Sequence, residues 1–94
     1  MSNTTAELLI NYVCNATEIK HAEVPGRQEL YAVHGASPKG VLKFNKISVH
    51  GATLHDVAFN EKPIYLQAED YNQLHNTIKN INFMLKLEKA LVAY

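Results

Sequence analysis

The C-terminal segment carries a long helical pattern of apolar residues, which constrains the fold more than any other feature. Between residues 68 and 93 these residues recur at intervals of three, four or seven: Tyr71, Leu74, Ile78, Ile81, Leu85 and Val92. Glu69 and Asp70 near its start and Lys86 and Lys89 near its end suit the helix dipole. The pattern predicts one amphipathic helix about 38 Å long, whose apolar side another element must cover.

The preceding residues predict a shorter helix and a small sheet. Thr4-Thr5-Ala6-Glu7 matches a capping box, so a first helix is expected from about residue 5 to about residue 16–20. Its end stays open, because residues 17–24 are also compatible with an extended segment. Four further segments are typical of strands and are separated by turns rich in Gly, Pro and Asn: 27–34, 41–50, 51–59 and 64–66.

These elements predict a single α+β domain over residues 1–94. We expect a small antiparallel sheet of three to four strands, flanked by an N-terminal helix and the long C-terminal helix, in the order α-β-β-β(-β)-α. Within residues 41–50 the apolar residues change parity. This change predicts a β-bulge near Asn45-Lys46, which would return them to one face.

Charge and hydropathy argue against several classes of function. Nine basic and nine acidic residues cancel, whereas a general nucleic-acid-binding protein usually has a basic excess. The apolar runs are far shorter than the roughly 20 residues that span a bilayer. The opening residues, MSNTTAELLI, lack the pattern of a signal peptide. We therefore expect a cytoplasmic protein without membrane contact.

The histidines and the single cysteine are the candidates for site chemistry. His34, His50 and His55 fall in or beside predicted strands, and they would form a zinc shell if strand pairing brought them together. Their spacing matches no metal motif, so ordinary surface histidines are the alternative. Cys14 follows Val13 in an apolar segment and is expected in the core. We expect no catalytic, cofactor or metal residues and a non-enzymatic protein, with a small histidine-based metalloprotein or enzyme as an alternative.

One candidate partner-binding segment lies between Glu29 and Asp56, an interval without acidic residues. Its candidate residues are Lys39, Lys43, Lys46 and Tyr31. A basic strand face with interleaved aromatic residues can contact acidic protein groups or a nucleic-acid backbone. The alternative is a solvated strand face, whose lysines discourage edge-to-edge aggregation.

The second candidate segment is the end of the long helix, where Phe83, Leu87 and Leu91 make the helix apolar on more than one side. This width exceeds what a small sheet can cover. It predicts either a homodimer contact or docking in a partner's groove, with burial against the first helix as the alternative.

The segment IYLQAEDYNQL, residues 64–74, resembles the strand-to-helix junction of Phd-type antitoxins, where a hydrophobic strand precedes a Glu-Tyr-x-x-Leu helix start. Residues 1–63 are patterned differently from the DNA-binding half of that family, so no function is carried over. The whole-chain profile is similar to the small proteins of bacteriophages and mobile elements, including anti-CRISPR proteins, which are often single α+β domains without catalytic motifs.

Together these features favour a non-enzymatic inhibitor that docks on a larger host protein or ribonucleoprotein and blocks its nucleic-acid-binding surface. Host defence evasion by a phage protein is the corresponding biological role. In this hypothesis the apolar end of the last helix contacts protein, and residues Lys39–Lys46 contact acidic groups or nucleic-acid backbone. The alternative is a nucleic-acid-binding regulator, such as an antitoxin-like dimer.

Overall fold

A five-stranded antiparallel sheet forms the centre of the fold, with one helix before it and one after it. The computed structural model describes residues 4–24 and 28–92. Its elements are α1 (Thr4–Cys14), β1 (Glu18–Val24), β2 (Gln28–His34), β3 (Gly40–Val49), β4 (Ala52–Phe59), β5 (Lys62–Ile64) and α2 (Ala68–Val92). The strands pair in chain order, so β1 and β5 are the two edges of the sheet.

The predicted α+β class is confirmed, with one more strand than expected. Residues 18–24, which the sequence left open, form β1. The last strand is Lys62–Ile64 rather than 64–66. The long helix is confirmed through Val92, and Ala93, the last residue of the predicted span, lies outside the described residues.

Two tight turns set the register of the last three strands. His50 and Gly51 join β3 to β4 with φ angles of 50° and 80°, and Asn60 and Glu61 join β4 to β5 with φ angles of 50° and 70°. Positive φ at both central residues identifies two-residue type I′ turns, whose twist matches that of paired strands.

The predicted bulge near Asn45-Lys46 is wrong. The β3–β4 pairing runs without a break from Leu42↔Phe59 to Val49↔Ala52. Because the turn at the end of this hairpin fixes the register, the change of parity in the sequence is not absorbed by an extra residue.

Both helices cover the same face of the sheet. The residues that fill the interface are largely or completely buried: Leu9, Val13, Tyr31, Val33, Leu42, Phe44, Val57, Tyr71, Leu74 and Ile78. The neighbours of Leu42 in β3, Val41 and Lys43, alternate onto the opposite face, where Val41 is exposed and Lys43 is half-buried. No described helix covers this second face.

Candidate functional site

A cluster of polar side chains joins α2 to β1 and β2 around the carboxylate of Glu29. The hydroxyl of Tyr31 donates to Glu29 Oε2 over 2.6 Å, and His75 Nε2 of α2 lies 3.1 Å from the same oxygen. His21 Nε2 of β1 lies 3.4 Å from it. The imidazole of His21 also stacks on the Tyr31 ring, with 4.4 Å between ring centroids. One carboxylate oxygen therefore connects two strands to the helix.

The electrostatics of this cluster favour an ionised Glu29. Partial burial opposes the charge, but the hydrogen bonds from Tyr31 and His75 and the charges of the two histidines outweigh it, and the pKa of Glu29 is lowered. Burial, followed by the Glu29 hydrogen bond, raises the pKa of Tyr31 above its usual range. Burial also raises the pKa of Tyr71, next to the cluster, to about 12. Tyr31 therefore acts as a neutral donor to a carboxylate.

The predicted histidine set does not form. His34 ends β2 near the Gly40 end of β3, whereas His50 lies in the turn beyond the opposite end of β3, about 30 Å away at 3.3 Å per residue. The ring of His55 instead contacts that of Tyr71, with 4.9 Å between centroids. Among residues 4–24 and 28–92, no three His, Cys, Asp or Glu side chains are placed to hold a metal ion.

The predicted basic and aromatic strand face is not assembled as expected. Tyr31 is 0% exposed, so its side chain is not available to a partner on this surface. Lys39 is exposed in the β2–β3 loop, and Lys43 is half-buried on the face away from the helices. The side chain of Lys46 lies outside the part of the structure that is described. Strand alternation explains the separation, because Lys43 and Phe44 are adjacent residues and point to opposite faces.

The end of α2 presents a second apolar surface, which we call the outer stripe: Phe83, Met84, Leu87 and Leu91. Its side chains are between 50% (Leu87) and 67% (Phe83) exposed. At 100° per residue the four fall within an arc of about 100°, roughly opposite the side that contacts the sheet. The predicted partner-binding residues Phe83, Leu87 and Leu91 thus lie together on one exposed surface, and α1 does not bury them.

A groove lies where α2 passes β1. We call it the β1 groove, and its volume is about 900 Å³. Its lining residues are Thr17, Glu18, Ile19, Lys20, His21, Asn82, Leu85, Lys86, Glu88, Lys89 and Val92. Asn82 is only 7% exposed, and its Oδ1 atom has no hydrogen-bond partner among the described residues. The groove combines apolar side chains, lysines and an unsatisfied amide oxygen beside an edge strand.

The sequence did not indicate the Glu29 cluster or the β1 groove. His75 and Glu29 are separated by 46 residues, so no local spacing could relate them. The only feature of the sequence that pointed to the groove was that residues 17–24 were also compatible with an extended segment. Cys14 was placed wrongly, because it is exposed rather than in the core. Its neighbour Val13 occupies the buried side of α1, and Cys14 is rotated about 100° away from it.

Comparison with protein-family models, curated proteins and solved structures finds no match to this chain. In the described part of the chain, neither helix combines the length and apolarity that crossing a membrane requires. With no similar protein to compare, function is inferred from the outer stripe and the β1 groove.

Proposed function

We propose that this protein is a non-enzymatic binding protein that docks on a larger protein through the outer stripe. The observation that carries the proposal is the exposure of four large apolar side chains on the side of α2 that faces away from its own core. Contiguous apolar surface of this kind is typical of sites that a partner covers. A helix with regularly spaced apolar side chains fits an apolar groove on such a partner.

The charges beside the outer stripe disfavour antiparallel pairing of two copies. By helical position, Lys79 and Lys86 flank one side of the stripe and Glu88 flanks the other. If two copies paired antiparallel through this stripe, the lysine flanks would face each other and repel. A partner groove with acidic residues along one rim complements the lysine flank.

The biological role we propose is inhibition of a host protein or ribonucleoprotein, as by small phage and mobile-element proteins of the anti-CRISPR kind. Blocking requires only that a surface is covered, and a rigid helix end is sufficient for that. The exposed Lys39, in the β2–β3 loop, adds positive charge at the end of the sheet where β1 begins, and there it can contact acidic groups or nucleic-acid backbone at the margin of the interface.

Affinity capture from the native host tests the proposal. The wild-type protein is expected to retain a specific protein partner, and Phe83→Glu/Leu87→Glu is expected to lose it. Leu8→Glu is the matched control, since Leu8 is 64% exposed on the other helix. All three proteins should give the same thermal unfolding midpoint. Capture of no specific protein, or equal capture by the stripe variant, would contradict the proposal.

The captured partner also tests the inhibitory role. Its binding to its own nucleic acid should weaken when this protein is added and recover with the stripe variant. Retention of nucleic acid alone, with an affinity that falls steeply with salt, would instead indicate the nucleic-acid-binding alternative.

A further inference from the structure

The strand β1 leaves one long edge of the sheet unpaired. It contains seven residues and pairs only with β2, whereas the opposite edge, β5, has three residues and includes Pro63. Short edge strands that contain proline resist further pairing. The outer backbone N–H and C=O groups of β1 have no strand partner in the described part of the chain. The free edge that can accept another strand is therefore β1.

The end of α2 lies beside this edge. Near the start of the helix, the ring of Tyr71 contacts His55 of β4, which pairs with Lys46 near one end of β3. The groove beside β1 lies near the other end of the strands, because Ile19 is level with Val33 and Gly40. The helix therefore crosses the sheet diagonally. Residues of its last turns, from Asn82 to Val92, line the groove with residues 17–21.

Apolar residues on the sheet-facing side of these last turns occupy helical positions that are buried earlier in α2, but they are themselves not buried. By helical position, Leu85 and Val92 lie on the same side of α2 as Leu74 and Ile78, which are 0% exposed. Leu85 is only half-buried and Val92 is 87% exposed. Next to them, the Oδ1 atom of Asn82 has no partner within the part of the chain that the structure describes. A strand added beside β1 would lie beneath these residues.

We propose that the β1 groove binds an extended segment of a partner protein, which adds a sixth strand to the sheet at β1. This inference rests on the proposed binding function and names the form in which the partner is recognised. Backbone hydrogen bonds to β1 supply the pairing, and side chains on one face of the segment cover Leu85 and Val92. Lys86 and Lys89 have no ion pair among the described residues. Acidic residues in the segment complement them.

A second copy of this chain would bring its own Lys86 and Lys89 to the same face of the sheet, because antiparallel pairing of β1 with its copy has a two-fold axis perpendicular to the sheet. An acidic extended segment brings the opposite charge to this face. We therefore assign the edge to such a segment, and self-association through β1 is the competing outcome of the test.

Selection from a phage-displayed library of random peptides of about twelve residues, long enough to span a strand, provides the probe. The bait is the full chain. Selected peptides are then synthesised and their affinities measured by fluorescence anisotropy. We expect apolar and acidic residues at every second position of these peptides, because the side chains that contact Leu85, Val92 and the lysines of α2 must all lie on one face of the added strand. Amide protons of β1 should exchange more slowly when the peptide is bound, as measured by NMR.

Charge reversal in the groove gives the discriminating comparison. Lys86→Glu/Lys89→Glu should weaken binding of the selected peptides about tenfold or more. The control, Lys62→Glu/Lys79→Glu, changes two exposed lysines outside the groove and should stay within about twofold. Leu87→Glu should also leave peptide affinity within about twofold, because it alters the outer stripe alone.

Several results would overturn the inference. These are selection of no peptide above background, equal binding to the groove variant, a bound peptide that is helical, or protection of β1 amides by self-association at high concentration. The proposed function is tested separately. If the peptide experiments fail but the wild-type protein, unlike the stripe variant, still captures the host partner, only the strand site is refuted. If no partner is captured either, the proposed binding function is refuted as well.

Discussion

Removal of the Tyr31 hydroxyl tests whether the Glu29 cluster fastens α2 to the sheet. Tyr31→Phe keeps the buried ring, its stack on His21 and its edge contact with Phe44. It removes only the O–H group that donates to Glu29 over 2.6 Å. The loss of stability should therefore report one hydrogen bond rather than a cavity.

The expected magnitude follows from the charge and exposure of the acceptor. A hydrogen bond to an ionised group contributes about 1.5–3 kcal/mol to stability. The Glu29 side chain is 29% exposed, and its contact with His75 remains, so water and His75 replace part of the lost interaction. We expect Tyr31→Phe to lower the free energy of unfolding by about 1.5–2 kcal/mol. For a domain of this size the midpoint would fall by roughly 6–16 °C.

The effect should depend on pH in one direction. The folded pKa of Glu29 is lowered from its ordinary value of 4.5. The stability linked to its ionisation is therefore present above about pH 4.5 and is lost as the pH falls through the folded pKa, because the carboxyl is then protonated in both states. Wild type and Tyr31→Phe should differ most near pH 7 and less near pH 3.

Urea unfolding followed by circular dichroism measures the difference at both pH values. Tyr65→Phe is the matched control, since Tyr65 is 90% exposed and its change should stay within about 0.5 kcal/mol. A double-mutant cycle with Glu29→Gln should show that the Tyr31 and Glu29 effects are not additive. A loss below about 0.5 kcal/mol for Tyr31→Phe, or an equal loss at both pH values, would refute the assigned role of the cluster.

Four further substitutions test the packing, each by chemical denaturation. Gly35→Ala should cost about 2–4 kcal/mol, because φ is positive and a Cβ atom would lie 2.0 Å from Thr17 Oγ1. Gly51→Ala, also at positive φ but with open space, should cost only about 1 kcal/mol, and equal losses would contradict the contact. Leu74→Ala should cost about 3–4 kcal/mol at a fully buried position, and a loss below about 1 kcal/mol would contradict that burial. Asn82→Leu should stabilise the isolated protein by about 1 kcal/mol by removing an unsatisfied amide, and a loss would show that the amide is satisfied.

The elements that the sequence predicted well are those whose pattern is local. The helix α2 has a regular apolar period over 25 residues, and the turns at Gly51 and Asn60 contain residues suited to positive φ. The strand β1 was left open for a physical reason. It is an edge strand with four charged or histidine residues, and among residues 18–23 only Ile19 lies in the buried core. Such a strand shows little apolar alternation, because it pairs with only one neighbouring strand and only one of its faces is covered. Few of its positions therefore require an apolar residue.

The candidate site was less predictable, because it depends on which strand face the helices cover. The sequence indicated that Lys43 and Phe44 have opposite parity, but not which of them faces α2. The fold places Phe44 in the core and Lys43 on the open face. It also buries Tyr31, which the sequence grouped with the lysines. The outer stripe was predictable, since an excess of apolar residues in one helix is visible without knowledge of its neighbours.

Energetics connect the outer stripe with the β1 groove. Covering the outer stripe would bury roughly 100 Å² from each of its four side chains, a gross gain of about 10 kcal/mol. Association itself costs about 4–15 kcal/mol, so this surface alone supports weak binding at best. Backbone pairing along β1 supplies the additional contacts that a stable complex requires. The apolar residues of the two surfaces differ, because one surface lies on the outer side of α2 and the other beneath it, and only the flanking residues Lys86 and Glu88 border both.

Their contributions to partner binding should therefore be additive. We expect Phe83→Glu and Lys89→Glu, which lie far apart on α2 and on different sides of it, each to weaken binding of the captured partner, and their combination to reduce the binding free energy by the sum within about 0.5 kcal/mol. Isothermal titration calorimetry with the captured partner measures all three variants. If Phe83→Glu abolishes binding while Lys89→Glu has no effect, the partner binds the outer stripe alone. In that case the β1 groove has no part in recognition.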